Sequence, residues 1–517
     1  MKKGMMIMRK NGVLLHITSL PSKYGIGTLG KEAYAFVDFL KRADQQIWQV
    51  LPVCPTGYGD SPYASYSTFA GNPYLIDLET LEEEGLLKPE EYQNLTWYEQ
   101  EDQVDFGKMY TQRYPILEKA SSRFLQNPTP DYVEFCKGHA SWLDDYALFM
   151  ALKDLHQGKP WLEWETPYRK YDAKAVQAWT QDNQARVDYY KSLQYFFFTQ
   201  WEKLRQYANK NGISILGDLP IYVALDSVDA WSHPELFMFD EDGKPSLVAG
   251  CPPDGFSEDG QLWGNPIYNW EYHKETGYAW WINRIDHATK VMDILRIDHF
   301  RGFDSYYAIP AGATTAKVGE WLQGPGIDLF KAIEAKLGKK EIIAEDLGYL
   351  TDSVKQLLAD SGFPGMKVLE FAFDSRDGSG AEYLPYNYPK NCVAYAGTHD
   401  NDTIQGWFQM INDGDRKYAQ DFMDAYNPGE YHWEMMRTVI ASPADTTIVQ
   451  AQDLLGLDSS SRMNTPGKMG GNWTWRLKPG QINADVEGTL KWVTDLYGRA
   501  PMKKKVVEDE KETEEKE

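Results

Sequence analysis

Three acids stand where a strand-like apolar run meets polar sequence: Asp298 after ILRI, Glu345 after EIIA, and Asp400 after VAYAGTH. Breaking a glycosidic bond passes through a state with positive charge on the sugar, so it calls for an anion beneath the ring and a proton donor at the leaving oxygen. Two carboxylates are the minimum, and three at strand ends exceed it. Any one of them alone reads equally as the N-cap of a following helix. Arg296 lies two residues before Asp298, on the same side of an extended strand, where its charge would keep that carboxylate ionised; a buried structural ion pair is the other reading. His299 and His399 each adjoin an acid and could donate hydrogen bonds to a substrate hydroxyl or sit as satisfied core histidines, with His399 the favoured donor. Asp218, in LGDLPIYV, ends another strand and reads either as a sugar contact or as an acid that holds a loop.

Distant acids meet only if the fold brings strand ends to one mouth. Apolar residues at 33, 36, 37 and 40 mark a helix over 31–43, followed by the strand-like IWQVLPV at 47–53. A helix over 188–208 leads directly into ISILGDLPIYV. The same rhythm continues through VMDILRIDHF, KEIIAEDLG, MKVLEFAFD, CVAYAGTHDND and TTIVQAQDLLG. Alternating helices and near-continuous apolar strands predict a parallel sheet covered on both faces. Acids at the C-terminal ends of several strands favour an α/β fold of the (β/α)₈ barrel type over an open sheet. Residues 1–502 are expected to form one elaborated catalytic domain. Within it, about 79–185 reads as a helical insertion and about 231–270, rich in Gly, Pro, Asp and Trp, as a loop covering the site. The charge-dense segment 503–517 reads as a flexible tail.

The formal charge of −23 argues against nucleic acid or an anionic membrane as the main partner, and no stretch approaches the apolar length of a membrane span. The cysteines at 54, 136, 251 and 392 show neither paired nor zinc-like spacing, which fits a reducing, cytoplasmic setting without a metal site. With 18 Trp and 33 Tyr, the chain has flat faces enough to stack on sugar rings, although a large aromatic core accounts for the composition equally well. The GIGTLG stretch at 25–30 fits a dinucleotide-binding glycine pattern, but it follows a polar loop and has no acid suitably placed for a ribose.

At these residues the chain resembles the amylomaltase family of 4-α-glucanotransferases, relatives of the α-amylases. The resemblance rests on LLHITSLPSKYGIGTLG, SPYASYSTFAGNPYL, GDLPIYV, CPPDGFSEDGQLWGNPIYNW, ILRIDHFRGF, IIAEDLG, AYAGTHDNDT and RMNTPGKMGGNW, blocks that run in order from position 14 to 473. It implies that Asp298 is the nucleophile, Glu345 the general acid/base and Asp400 the group that grips sugar hydroxyls. It further implies sugar-binding roles for Ser61, Tyr63, Asp254, Gln261, Trp263, Arg296 and His399, with Asn464, Pro466 and Gly467 lining the acceptor side; Asp218 joins the substrate-binding set on its strand-end position alone. The substrates it implies are α-1,4-glucans such as maltose, maltotriose, maltodextrins and amylose, handled by a monomer or weak homo-oligomer with no metal and no organic cofactor. An α-amylase-like hydrolase is the alternative that uses the same acids, and a non-catalytic maltodextrin-binding module is disfavoured because all three are present. Cys251 before PPD and the charged tail depart from the family pattern.

Overall fold

The computed structural model describes residues 9–253, 258–348, 350–376, 378–468 and 470–502. Twelve strands form in chain order: β1 (Lys10–Leu14), β2 (Ile47–Gln49), β3 (Ser214–Leu219), β4 (Leu247–Cys251), β5 (Gln261–Pro266), β6 (Ile294–Ile297), β7 (Ser305–Pro310), β8 (Glu320–Gln323), β9 (Ile342–Ala344), β10 (Gly365–Val368), β11 (Cys392–Tyr395) and β12 (Thr446–Gln450). Eight of them pair in parallel in the order β10-β11-β12-β1-β2-β3-β6-β9. The remaining gap, between β9 and β10, is spanned where the Ala344 N–H donates to the Pro364 carbonyl at 2.9 Å. The sheet therefore curls into a (β/α)₈ barrel. Its strands are short and buried along almost their whole length, because helices cover them outside and side chains fill the middle.

Seven of these strands coincide with apolar runs read from sequence, although each is shorter than its run; 47–53, for example, contributes only Ile47–Gln49. β1 escaped that reading because Gly12 interrupts it. Glycine is needed there: a Cβ would lie 2.6 Å from both Cβ and the carbonyl oxygen of Ile47 on the neighbouring strand. Between β2 and β3 the chain runs through the helices Tyr114–Phe124, Pro130–Gly138, Ala140–Leu155 and Ala173–Lys210. The last is kinked at Asn183 (φ −124°, ψ 21°) and continues past position 185 to pack as a barrel helix, so the expected end of the insertion falls inside one helix.

The stretch 231–270 is more than a loop. It carries β4 and β5, which pair antiparallel with each other and, through β4, with β7 and then β8, making a four-stranded sheet in the order β5-β4-β7-β8. β7 and β8 follow β6, so this small sheet joins the connections after β3 and β6 into one wall.

At the end of the barrel where β1 and β12 begin, the buried Arg499 donates to the carbonyls of Lys10 (3.0 Å), Ile440 (2.7 Å), Ser442 (3.1 Å) and Ala444 (2.8 Å). One guanidinium thus ties the start of the chain to the last helix–strand connection. Arg499→Met strips these carbonyls of their donor and is expected to destabilise the fold by roughly 2–4 kcal/mol, read as a lower denaturant midpoint, with the kcat of the folded fraction unchanged because the acids stand at the other end.

Candidate active site

Asp298 is the first residue after β6 and Glu345 the first after β9, the adjacent strand. Main-chain bonds fix both exits: the Asp298 N–H donates to the Leu219 carbonyl (3.0 Å), the Glu345 N–H to Ile297 (2.9 Å), and the Phe300 N–H to the Glu345 carbonyl (3.0 Å). His299 takes a left-handed conformation (φ 51°, ψ 50°) that turns the chain into the short helix Phe300–Phe303. The same turn aims the His299 N–H at Glu345 Oε2 (2.7 Å), while the Leu347 N–H reaches Oε1 (2.8 Å). The Glu345 carboxyl is thus pinned by two backbone donors. Asp400 is held differently, on the turn after β11: Asn464 Nδ2 donates to its Oδ1 at 2.6 Å, and Arg462 Nη2 donates to its carbonyl at 2.5 Å.

Arg296 is the hub. Its guanidinium, 4% exposed, contacts Asp218 Oδ2 at 2.5 Å and Asp298 Oδ1 at 3.1 Å. Tyr63 donates its hydroxyl to the same Asp218 oxygen at 2.6 Å and stacks on His399 with ring centres 5.3 Å apart and planes 10° from parallel. Burial opposes the Arg296 charge, but Asp218, Asp298, Tyr63 and Glu345 outweigh it and hold the guanidinium well above its usual range. Burial is the largest influence on Asp298 and pushes its carboxyl well up; Arg296 pulls the other way, and the charges of Asp218, Glu345 and Asp400 add to the rise. Asp298 and Glu345 leave adjacent strands, and Asp400 follows His399, whose ring stacks on the Tyr63 that bonds Asp218. Burial likewise raises Glu345, against the pull of Arg296 and the two N–H donors. His299 is pushed down to about 3 and His399 also falls, both chiefly through burial, so the two rings are neutral at physiological pH. Among the described residues, no group of three or more His, Cys, Asp or Glu side chains is arranged to hold a metal ion.

A family model for 4-alpha-glucanotransferases matches residues 15–483. The chain belongs to that family. A Streptococcus pneumoniae 4-alpha-glucanotransferase is 47% identical over 494 residues, spanning 95% of this chain and 97% of its own length. The Thermus thermophilus 4-alpha-glucanotransferase is 44% identical over 506 residues, 96% of this chain and all of the relative. Among solved structures, the Streptococcus agalactiae amylomaltase in complex with acarbose superposes with a TM-score of 0.93 at 44% identity, covering 95% of this chain and 100% of that one. The Corynebacterium glutamicum amylomaltase, at 20% identity and a TM-score of 0.73 over 95% of this chain and 74% of its own, shares the fold.

With the 4-alpha-glucanotransferase family in view, the residues singled out in the sequence take distinct places. Asp218 carries no exposed side-chain surface. Its Oδ2 meets both Arg296 and Tyr63, which fits the anchoring alternative for this residue. Ser61 accepts the Tyr63 N–H at 3.2 Å and so shapes the turn that presents the tyrosine. Gln261 and Trp263 stand on β5, with the indole N–H donating to Gln261 Oε1 (3.1 Å) and the ring meeting His299 edge to face at 4.8 Å. Asn464 contacts Asp400 directly, whereas Pro466 and Gly467 lie on an exposed turn beyond it. Asp254 falls outside the described residues.

Two residues passed over in the sequence belong to this neighbourhood. Trp473 packs its ring against Tyr63 (5.8 Å) and His399 (6.1 Å), and Arg462 bonds the carbonyls of Asp400 and Asn464. Their signal was position inside the RMNTPGKMGGNW block; nothing in the spacing of Trp473 distinguished it from a core tryptophan.

Replacing Arg296 by Lys removes the guanidinium whose Nη1 contacts both Asp218 and Asp298. The neighbouring positive charge lowers the Asp298 pKa, so weakening it must raise that pKa and leave less anion at any given pH. The acid limb of kcat/KM is expected to move to higher pH and kcat at pH 7 to fall at least tenfold; an unmoved limb would separate Arg296 from the ionisation of Asp298.

Proposed function

We propose that this chain transfers α-1,4-glucan segments by a retaining double displacement in which Asp298 is the nucleophile, Glu345 the acid and base, and Asp400 the group that grips sugar hydroxyls. The observation that carries the reading is the unequal environment of two neighbouring carboxyls. Asp298 has a guanidinium at 3.1 Å, whereas Glu345 accepts two backbone N–H donors at 2.7 and 2.8 Å and feels the same guanidinium from farther off. Burial raises both carboxyls and disfavours two adjacent charges, and the direct guanidinium contact favours Asp298 as the carboxyl that gives up its proton to attack.

In the first half-reaction an Asp298 oxygen forms a bond to the anomeric carbon as the glycosidic bond breaks, and Glu345 passes its proton to the departing 4-oxygen. The reducing-end fragment leaves and a glycosyl ester of Asp298 remains. In the second, Glu345 takes the proton from the 4-hydroxyl of an incoming sugar, whose oxygen attacks the same carbon and expels the Asp298 carboxylate. Two inversions restore the α configuration. Asp400, 43% exposed and anchored by Asn464, is free to accept hydrogen bonds from ring hydroxyls.

Transfer wins over hydrolysis only if the acceptor sugar displaces water. Tyr63, His399 and Trp473 pack together and Trp263 meets His299, and these two groups of rings support a dry acceptor side. The complex of the Streptococcus agalactiae amylomaltase with acarbose supports placing the donor in the equivalent cleft. Maltodextrins are the donor and acceptor class that fits, Gln261 and Trp263 contact them, and Pro466 and Gly467 border the acceptor path. The scattered spacing of the four cysteines supports a reducing, cytoplasmic location.

The test is product analysis on maltotriose with the native chain and Asp298→Asn. The native chain is expected to yield glucose together with a ladder of longer oligosaccharides. The variant should bind maltodextrin with little change while turnover falls by about four orders of magnitude or more. Only short products from the native chain, or ordinary turnover in the variant, would overturn the reading.

A further inference from the structure

Behind the turn that carries Asp400 lies a group of buried carboxyls that the double displacement does not use. Glu370 follows β10 in the short helix Leu369–Phe371, and its N–H donates to the Ala396 carbonyl at 3.1 Å, which sets it against the exit of β11. The residue is 7% exposed, and its Oε1 has no hydrogen-bond partner among the described residues. That oxygen meets the main chain: a Cβ on Gly397 would lie 2.7 Å from Glu370 Oε1 and 3.1 Å from Asn401 Cβ. Gly397 opens the segment that leads through Thr398 and His399 to Asp400. Asn401 closes it, accepting both the N–H and the hydroxyl of Thr398 at 2.9 Å.

The surroundings explain why an acid can occupy this place. On the β12 side is Asp453, 1% exposed, with Oδ1 accepting the Ile404 N–H at 2.8 Å and Oδ2 unpartnered among the described residues. Asp402 accepts from the Thr403 N–H (2.8 Å) and the Ser459 hydroxyl (2.7 Å). The nearby cation, Arg462, gives its strongest bonds to the carbonyls of Asp400 and Asn464 and stands 4.0 Å from Asp402. Burial, then the charges of Asp453 and Asp402, push the Glu370 carboxyl well above the carboxylate range, opposed by Arg462 and the Asn401 side chain. A neutral carboxyl can press against a peptide at van der Waals distance; an ionised one would draw Arg462 away from the two carbonyls it holds.

We propose that Glu370 is a positioning residue for Asp400, bracing the turn 397–402 from inside the barrel so that the Asp400 carboxylate keeps its direction toward the sugar. The inference rests on the role given to Asp400 above. It makes Glu370 a matter of shape and neutrality, not of charge. Glutamine has the same shape and no charge, and so replaces it. Alanine leaves a gap into which the turn relaxes, and aspartate withdraws the carboxyl by one methylene.

The experiment is steady-state transfer from maltotriose by folded Glu370→Gln, Glu370→Ala and Glu370→Asp, with Asp400→Asn as control. Because a displaced Asp400 weakens transition-state grip more than ground-state binding, Glu370→Ala and Glu370→Asp are expected to lose kcat tenfold or more with KM within about twofold. Glu370→Gln is expected to stay within threefold of the native kcat. A native kcat in Glu370→Ala overturns the proposal, as does a Glu370→Gln as impaired as Glu370→Ala, or a loss confined to KM. Should Glu370→Ala not fold, Glu370→Asp decides by the same criteria. A native kcat in Asp400→Asn would instead sink the role assigned to Asp400, so the two failures are distinguishable.

Discussion

A single buried cation organises the mouth of this barrel. Arg296, on β6, is shared between Asp218 of β3 and Asp298 at the tip of its own strand, and Tyr63 closes the group from the loop after β2. A buried ion pair is weak support for a fold, because desolvation offsets much of the attraction and apolar packing would serve as well. Its presence at the centre of the strand ends therefore has to be explained by what it does to Asp298. The sheet register makes the arrangement possible: Asp218 and Arg296 are direct partners across the β3–β6 ladder, and the period of two in β6 puts Arg296 and Asp298 on the same side. Polar residues inside an otherwise apolar barrel are thus tied to the chemistry at its end, which is where local rules of folding are expected to be broken.

The same logic separates the three acids. Asp298 and Glu345 leave adjacent strands and are fixed by main-chain hydrogen bonds at their own peptides, so their positions are as rigid as the barrel. They differ in their nearest partners, a full charge for one and peptide dipoles for the other. Asp400 instead depends on side chains, Asn464 and Arg462, that reach across from the connection after β12. Two acids are thus fixed by the barrel's main chain and the third by side chains from a neighbouring connection.

The sequence disclosed the barrel and its acids because both leave local marks: continuous apolar runs for buried parallel strands, and a charged residue where each run stops. What escaped it depends on partners distant in the chain. Gly12 reads as an interruption until Ile47 is seen against it. β4 and β5 read as a Gly- and Pro-rich loop because the strands that complete their sheet, β7 and β8, come only after β6. Position 185 looked like the end of an insertion, yet the helix bends at Asn183 and continues, since its later turns pack on the barrel. Asp218 offered two readings that only burial could separate, and Trp473 looked like any core tryptophan until Tyr63 and His399 were placed beside it.

The two connections that bear on Asp400 are tied to each other as well as to the acid. Arg462 bonds the carbonyl of Asp400 on one turn and that of Asn464 on the other, so the loops after β11 and β12 move together or not at all. Asn464 then delivers its amide to the carboxylate itself, and its own N–H returns to the His399 carbonyl at 3.1 Å. His399 in turn stacks on Tyr63, whose hydroxyl ends at Asp218 and hence at Arg296. The chain of contacts begins at Asp400 and finishes at the guanidinium beside Asp298. A shift of Asp400 would have to disturb that path, which gives the aromatic stack of Tyr63 and His399 a mechanical role.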